Sequence, residues 1–476
     1  MRTLFFFLAA LGAAAAESGP EPSIQYAIPF TCASLESLVL ERHPILAEKA
    51  FEIEKAHEKV RDVDMGAILP KFELETGMGP APGIRAVPDT SLNYVNNSLG
   101  LVPRTGKEFD YNEWGPFFGI EMKVVQPLNV ARYRAGRRAA SRNVDVATAT
   151  FQKEKLEVSE EAQTFYFQSL YARTLRDALA SARVDLDKAQ KKMADKLDEG
   201  DESVSQTDLL QLKAGRYALD QGLNEAELGL ARTRLGLRFL MGWPDNATPV
   251  FFDTSLSLRS EAIPPLDSLK VYTLRDHPDL KRLTNGLAAR RELLKVAQGE
   301  MGPDIFLFAS FQYSKAWSSD RQSGGKDPFA VDPLNELTGV AGLGVRLQLN
   351  FWQRYQKYRK ERLELRQLQR TEVYAARGLL LQTEDAYVRL LKAKADAEDA
   401  QKAMRAAEAW LKGAAMKADL DASENGALVS PFRNSLTAKR DYYKAVLEYD
   451  LSVTRLFKTV GWTLSDALGN LRPVTN

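Results

Sequence analysis

Catalysis and metal binding both need donor groups that converge, and this chain carries few of the usual ones. Its histidines are His43, His57 and His277, and its single cysteine is Cys32. No two histidines have the HExxH spacing that puts both rings on one helix face, and one thiol makes neither an intrachain disulfide nor a thiolate-rich metal site. His43-Pro44-Ile45-Leu46 and His277-Pro278-Asp279-Leu280 share a pattern, so these histidines read as markers of a repeated helix break. Two basic patches carry interleaved aromatics. Arg132, Arg134, Arg137, Arg138 and Arg142 surround Tyr133, while Arg354, Lys357, Arg359, Lys360 and Arg362 surround Tyr355 and Tyr358. Such patches suit nucleic acid, an anionic membrane surface or plain solvent. A net charge of +1 argues against a chain-wide grip on nucleic acid, leaving a membrane collar or a solvated helix face. Asp419, Asp421 and Glu424 form a short acidic group that reads as a soluble turn. No triad or nucleotide-binding motif is present, and the sequence predicts neither enzymatic activity nor a cofactor.

The elements that position these residues are unusually long. The run from Glu199 to Pro244 has Ser205, Thr207 and Asp208 as candidate N-caps and stops at Gly242. It ends in Leu240-Met241-Gly242-Trp243, and a second run from Arg433 ends in Thr459-Val460-Gly461-Trp462, which points to internal duplication. Phe165, Ala172, Leu179, Leu186 and Met193 recur at heptad spacing, as do Ala386, Ala393, Ala400, Ala407 and Ala414 beside Leu390 and Ala397. These are coiled-coil seams whose alanines permit close approach. Breaks at 198–206 and 419–431 turn each long helix back on another, giving two antiparallel helical hairpins. An uninterrupted helix from Ala131 to Leu197 would extend roughly 100 Å at about 1.5 Å per residue.

Between helices the apolar period changes to two. Phe72 and Leu74 alternate with Lys71, Glu73 and Glu75, and Phe118, Ile120, Met122 and Val124 oppose Glu121 and Lys123. In the second half Ile305, Leu307, Ala309 and Phe311 oppose Ser310 and Gln312, while Val345, Leu347 and Leu349 oppose Gly344, Arg346, Gln348 and Asn350. Gly77, Gly79, Pro80 and Pro82 predict a short first strand, followed by a loop at 79–114; a second loop covers 314–338. Strands with one apolar and one charged face fit a half-exposed soluble sheet or a barrel with lipid outside and water inside. The N-terminus favours the barrel. Arg2, the apolar run Leu4 to Ala16 and the small residues Ala14-Ala15-Ala16 read as an export signal. Cys32 lacks the small-residue box that lipid attachment needs, so no lipid anchor is expected there. No later stretch reaches the roughly 18 to 20 apolar residues of a membrane-spanning helix.

The order signal, helix, strand, loop, strand, long helix, turn, long helix, repeated once, resembles the TolC-type outer membrane efflux family from about Ala33 to Gly461. The resemblance rests on the His43-Pro44 and His277-Pro278 segments, the strand exit Gln126-Pro127-Leu128, and the helix from Thr207-Asp208-Leu209-Leu210-Gln211 through Leu240-Met241-Gly242. It implies a mixed α/β membrane protein. Each chain of a homotrimer would give four strands to one twelve-stranded transmembrane β-barrel, and long coiled-coil hairpins to a periplasmic α-helical barrel. Its boundaries would be a signal peptide at 1–16, an extended segment at 17–32, a first repeat at 33–242 and an equatorial linker at 243–265. A second repeat at 266–461 and a tail at 462–476 complete the plan. It further implies a passive exit duct in the cell outer membrane, in contact with outer membrane lipid. A periplasmic adaptor (membrane fusion) protein would join it to an inner-membrane pump that supplies energy.

The match thins in places. Asp208 opens the returning helix of the first copy, but the second copy has Pro431-Phe432-Arg433 where Asp-Leu-Leu is expected. Asp419, Asp421 and Glu424 are therefore substitutes for the acidic periplasmic entrance of the family. Asn350-Phe351-Trp352 stands where the first copy has Pro127-Leu128-Asn129, and Trp352 is either an interfacial anchor or core packing. The competing reading is an exported periplasmic coiled-coil adaptor or structural protein with a small β-domain.

Overall fold

The computed structural model describes residues 30–88, 95–97, 100–102, 105–199, 205–243, 253, 255–258, 263–318, 334–420 and 429–471; the expected signal lies outside them. The chain begins with α1 (Cys32–Arg42), α2 (Pro44–Ile68), β1 (Lys71–Pro88), β2 (Val95–Asn97), β3 (Gly100–Val102) and β4 (Thr105–Pro127). Two helices follow, α3 (Val130–Asp198) and α4 (Gln206–Met241). The second half contains α5 (Leu266–Asp276), α6 (Pro278–Gly299), β5 (Asp304–Ala316), β6 (Glu336–Arg346), α7 (Phe351–Leu420), α8 (Val429–Val460) and α9 (Leu464–Leu471). The residues fall into two compact units. One, Lys49–Phe151 with Pro278–Arg377, contains the strands; the other, Met1–Glu48, Gln152–His277 and Gly378–Asn476, is helical.

In the strand unit, β1, β4, β5 and β6 form one antiparallel sheet in that order. The sequence reading is corrected here in two ways. β1 continues through Pro80 and Pro82 to Pro88, with a register shift between Pro82 and Gly83, because an edge strand tolerates residues that lack an N–H. The expected loop at 79–114 is therefore largely a strand hairpin. β6 stops at Arg346, so Leu347 and Leu349 continue the alternation without ladder partners.

In the helical unit, α1 breaks at His43 and α5 at His277, each in an extended conformation imposed by the following proline. The His43 N–H donates to Val39 O at 2.9 Å and the His277 N–H to Thr273 O at 3.2 Å, so both residues end helices, and both are buried. The Gly-Trp signals end helices as well. Gly242 (φ 61°) and Gly461 (φ 94°) adopt the left-handed conformation. The next N–H turns back onto the helix, Trp243 to Arg238 O at 3.1 Å and Trp462 to Phe457 O at 2.9 Å. Both indoles are buried, Trp243 against Phe30 and Trp462 against Tyr272.

The heptad of α3 has a cause that its own residues do not show. Phe165, Ala172 and Leu179 lie against Gly236, Gly229 and Gly222 of α4, where a Cβ on Gly236 would clash with the Phe165 ring. Bulky residues on one helix thus pack into a glycine groove on its neighbour. Further along, Leu186, Met193, Leu212 and Leu219 form a buried cluster, and Phe432 of α8 packs against it.

The unpredicted centre of this unit is Glu36, which is 1% exposed. Its carboxylate accepts from the Ser159 hydroxyl, from Gln163 Nε2 at 3.4 Å, and from the Leu464 and Ser465 N–H groups at 2.9 and 3.2 Å. Thr454 Oγ1 donates to Gln163 Oε1 at 3.0 Å. A carboxylate from α1 therefore caps α9 and ties α3 and α8 to it. Glu36→Ala removes the acceptor of the buried Ser159 hydroxyl and of the two α9 N–H groups, and we expect a loss of about 1–3 kcal/mol in unfolding measured in detergent. Burial lowers the pKa of His43 below 6.5, although the Glu161 carboxylate pulls the other way. The unfolded chain then takes up this proton first. His43 contributes fully above about pH 6.5, and stability falls as pH drops from there towards the folded-state pKa. A His43→Gln chain should lack that part of the slope in unfolding midpoints recorded against pH.

Candidate functional site

The sheet has two chemically distinct faces, and cross-strand register sorts them. Phe72, Val124, Ala309 and Ala341 share one row, and Leu74, Met122, Phe311 and Gly339 the next on the same face. On the other face Glu73 is beside Lys123, Ser310 and Val340, and Glu75 beside Glu121, Gln312 and Thr338. Lys123 pairs with Glu121 at 2.8 Å. The apolar face is uncovered: Leu74 is 64% exposed, Met78 82% and Leu343 64%. A surface this apolar over four strands exceeds the patches that soluble chains leave in water. Ile305 to Tyr313 extends roughly 26 Å along β5 at about 3.3 Å per residue, matching an outer-membrane lipid band of about 25 Å.

Exposed aromatics bracket that band. At the loop end are Trp114, whose Nε1–H donates to Tyr111 O at 2.9 Å, and Trp317, whose N–H donates to Pro116 O at 3.0 Å. At the helix end Phe351, Trp352 and Tyr355 line a cavity of about 380 Å³ with Met301 and Arg354. Trp352 is 67% exposed, which removes the core-packing reading within this chain.

Below the strands, most of the first basic patch is consumed in the structure. Arg132 pairs with Asp304 at 2.7 Å, Arg137 with Asp64 at 2.8 Å, Arg138 with Glu292 at 3.0 Å and Arg142 with Asp145 at 3.2 Å. The Tyr133 hydroxyl donates to Asp64 at 2.6 Å and, with Arg137, holds that carboxyl below its ordinary range. In the second patch Arg354 donates to the Glu300 and Gly302 carbonyls and to Gln348, and Lys357 pairs with Glu300 at 2.6 Å. Bonds run from α2 to α3 through Asp64, from α3 to α6 through Arg138, and from α6 to α7 through Arg290 with Glu361 and Glu364, each at 2.9 Å. These helices thus stand in a row, α2, α3, α6, α7, in the same order as the strands they adjoin.

The sequence-predicted tip residues belong to the stretches of the helical unit. α4 starts at Gln206 with Ser205 in the cap, its Oγ accepting from the Thr207 N–H at 3.0 Å. Asp208 lies in the first turn of α4. Asp419 belongs to the last turn of α7, but its side chain, with Asp421 and Glu424, lies outside the described residues. Among the described residues no group of three or more His, Cys, Asp or Glu could hold a metal ion, and no helix is long and apolar enough to cross a membrane.

No family model and no curated protein matches this sequence. Solved structures do match its fold. The outer-membrane channel OprN is 14% identical, with 90% of this chain and 89% of that chain covered at a TM-score of 0.69. The Campylobacter jejuni CmeC outer membrane channel is 17% identical, with 93% and 88% covered and a TM-score of 0.67. The Neisseria gonorrhoeae MtrE outer membrane channel, solved in its open state, is 14% identical, with 91% and 89% covered and a TM-score of 0.67. The chain has the fold of an outer-membrane channel. More narrowly, it is the TolC-type fold that the order of its elements resembles.

The two faces of the sheet should respond oppositely to charge. Leu74→Arg places a cation in the lipid band and is expected to cost about 2–4 kcal/mol, read as impaired insertion into bilayer vesicles. Glu75→Arg on the opposite face should insert like the unaltered chain.

Proposed function

We propose that this chain is one third of an exit duct in the cell outer membrane. The observation that carries this reading is the four-stranded sheet with an exposed apolar face, a charged face and two open edges, β1 and β6. Four strands cannot close, and an edge left open in lipid costs several kcal/mol for each unpaired backbone group. Three copies close a twelve-stranded barrel, with the Glu73, Glu75, Glu121 and Lys123 face towards water. The long helices continue as a periplasmic tunnel. Transport is passive: a periplasmic adaptor joins the duct to an inner-membrane pump, and drugs, metals, small molecules or secreted proteins pass through.

Two copies of one plan, 33–242 and 266–461, joined by 243–265, account for the paired His-Pro breaks and the paired Gly-Trp ends. Trp352 serves as an interfacial anchor at the inner rim. Asp419, Asp421 and Glu424 supply the acidic entrance at the periplasmic tip, and Asp208 lies in the opening turn of the first returning helix.

Expressed with its export signal, the protein should fractionate with outer membranes, run as a trimer in mild detergent and conduct ions in planar bilayers. Asp419→Asn with Asp421→Asn and Glu424→Gln should weaken cation preference and divalent block. A soluble monomer overturns the duct, whereas unchanged selectivity and block overturn only the entrance.

A further inference from the structure

The row of helices beside the sheet ends, like the sheet, in two unpartnered sides, and their chemistry is complementary. On α2, the side away from Asp64 and buried Ala56 carries Phe51, Glu54, Glu58, Asp62 and Met65, all exposed. Positions three and four apart share a helix face, so these residues form one stripe. Lys55 and Arg61 flank the stripe as its two cations, both exposed. Glu54 and Asp62 have no hydrogen-bond or ion-pair partner among the described residues, and Glu58 holds only the exposed Arg61.

On α7, the side away from Glu361 and Glu364 carries Tyr355, Arg359, Arg362, Arg366 and Arg370, again at spacings of three and four and again exposed. None of these four arginines has a partner among the described residues. This contrasts with the corresponding start of α3, where Arg132, Arg137, Arg138 and Arg142 are all paired. The start of α3 thus uses most of its cations within the chain, whereas on α7 Arg354 and Lys357 are bonded and these four arginines are not, among the described residues.

Closing the sheet through β1 and β6 brings α2 of one copy beside α7 of the next, because each helix directly adjoins the edge strand of its own side. The two run antiparallel, α2 towards the sheet and α7 away from it. The charges then lie at similar depths. At about 1.5 Å per residue, Asp62, Glu58 and Glu54 stand roughly 9, 15 and 21 Å from Ile68, and Arg359, Arg362 and Arg366 roughly 12, 17 and 23 Å from Phe351. Met65 falls near Tyr355 at the strand end, and Phe51, roughly 26 Å from Ile68, falls between the depths of Arg366 and Arg370.

Resting on the trimeric reading above, we infer that the occupant of each stripe is a second copy of this chain. The Glu54, Glu58 and Asp62 stripe of α2 seats on the Arg359, Arg362 and Arg366 stripe of the neighbour's α7. Like charges would face each other if two α2 or two α7 stripes met. The pairing therefore enforces head-to-tail order around the ring and sets the depth at which neighbouring sheets join.

The test uses the full chain in mild detergent. Glu58→Cys with Arg362→Cys, in a Cys32→Ser background, should give disulfide-linked dimers and trimers on oxidation. Glu58→Arg with Asp62→Arg should raise the monomer fraction by about tenfold or more, as should Arg359→Glu with Arg362→Glu, and the four changes together should restore the trimer. Intact trimers in both reversal variants, or no cross-linking in a cysteine variant that is still trimeric, overturn the pairing alone. A monomeric unaltered chain overturns the ring as well. Should a reversal variant not fold, the cysteine pair decides.

Discussion

Hydrocarbon offers no hydrogen bonds to a backbone, and a sheet of four strands can meet that condition only by pairing its two edges. A four-stranded sheet satisfies its interior ladders but presents unpaired N–H and C=O groups along β1 and β6. In water such edges are tolerated; beside lipid they must be paired. On the proposed reading the exposed apolar face, with Leu74 and Leu343, lies against lipid. On that reading association through the edges becomes a condition of the fold, and the proline-bearing part of β1 marks where backbone pairing along that edge is weakest.

The regions outside the strands hold the sheet in a defined setting. The collar of ion pairs below it, from Asp64 through Arg138 to Arg290, makes the adjoining helices repeat the strand order. Each such exposed pair contributes little individually, on the order of 0–1 kcal/mol, so their value is in alignment more than in stability. The helical unit uses stronger means. Glu36 is buried where an unpaired carboxylate would be costly, and it is satisfied by donors from α3 and α9 together. The chain's first and last described helices are thereby joined through one side chain.

Several features were legible from local rules alone. His43-Pro44 and His277-Pro278 end helices because proline constrains the residue before it, and Gly242 and Gly461 do so because glycine accepts a positive φ. The two-faced strands follow from period-two alternation. Extents were read less well. Pro80, Pro82 and the glycines around them look like a loop, yet β1 runs through them because it is an edge; Leu347 and Leu349 look like strand, yet no partner strand reaches them. The cap at Ser205 shows the same limit, since Thr207 and Asp208 are equally able capping residues and only the start of the helix separates them.

By itself the sequence determined the kinds and order of the elements, because periodicity, proline and glycine act over a few residues. It also determined that β1, β4, β5 and β6 each have one mainly apolar face, opposed by a charged face on β1 and β4 and a mixed one on β5 and β6. Tertiary structure decided which groups are spent and which are free. Nothing local distinguishes Arg137, locked to Asp64, from Arg366, which has no partner among the described residues, nor Glu36 from any exposed glutamate of a helix. The glycine groove of α4 likewise acquires meaning only when Phe165 lies against Gly236. These distinctions arise from contacts between residues far apart in the chain, and such contacts exist only once the helices and strands have been brought side by side.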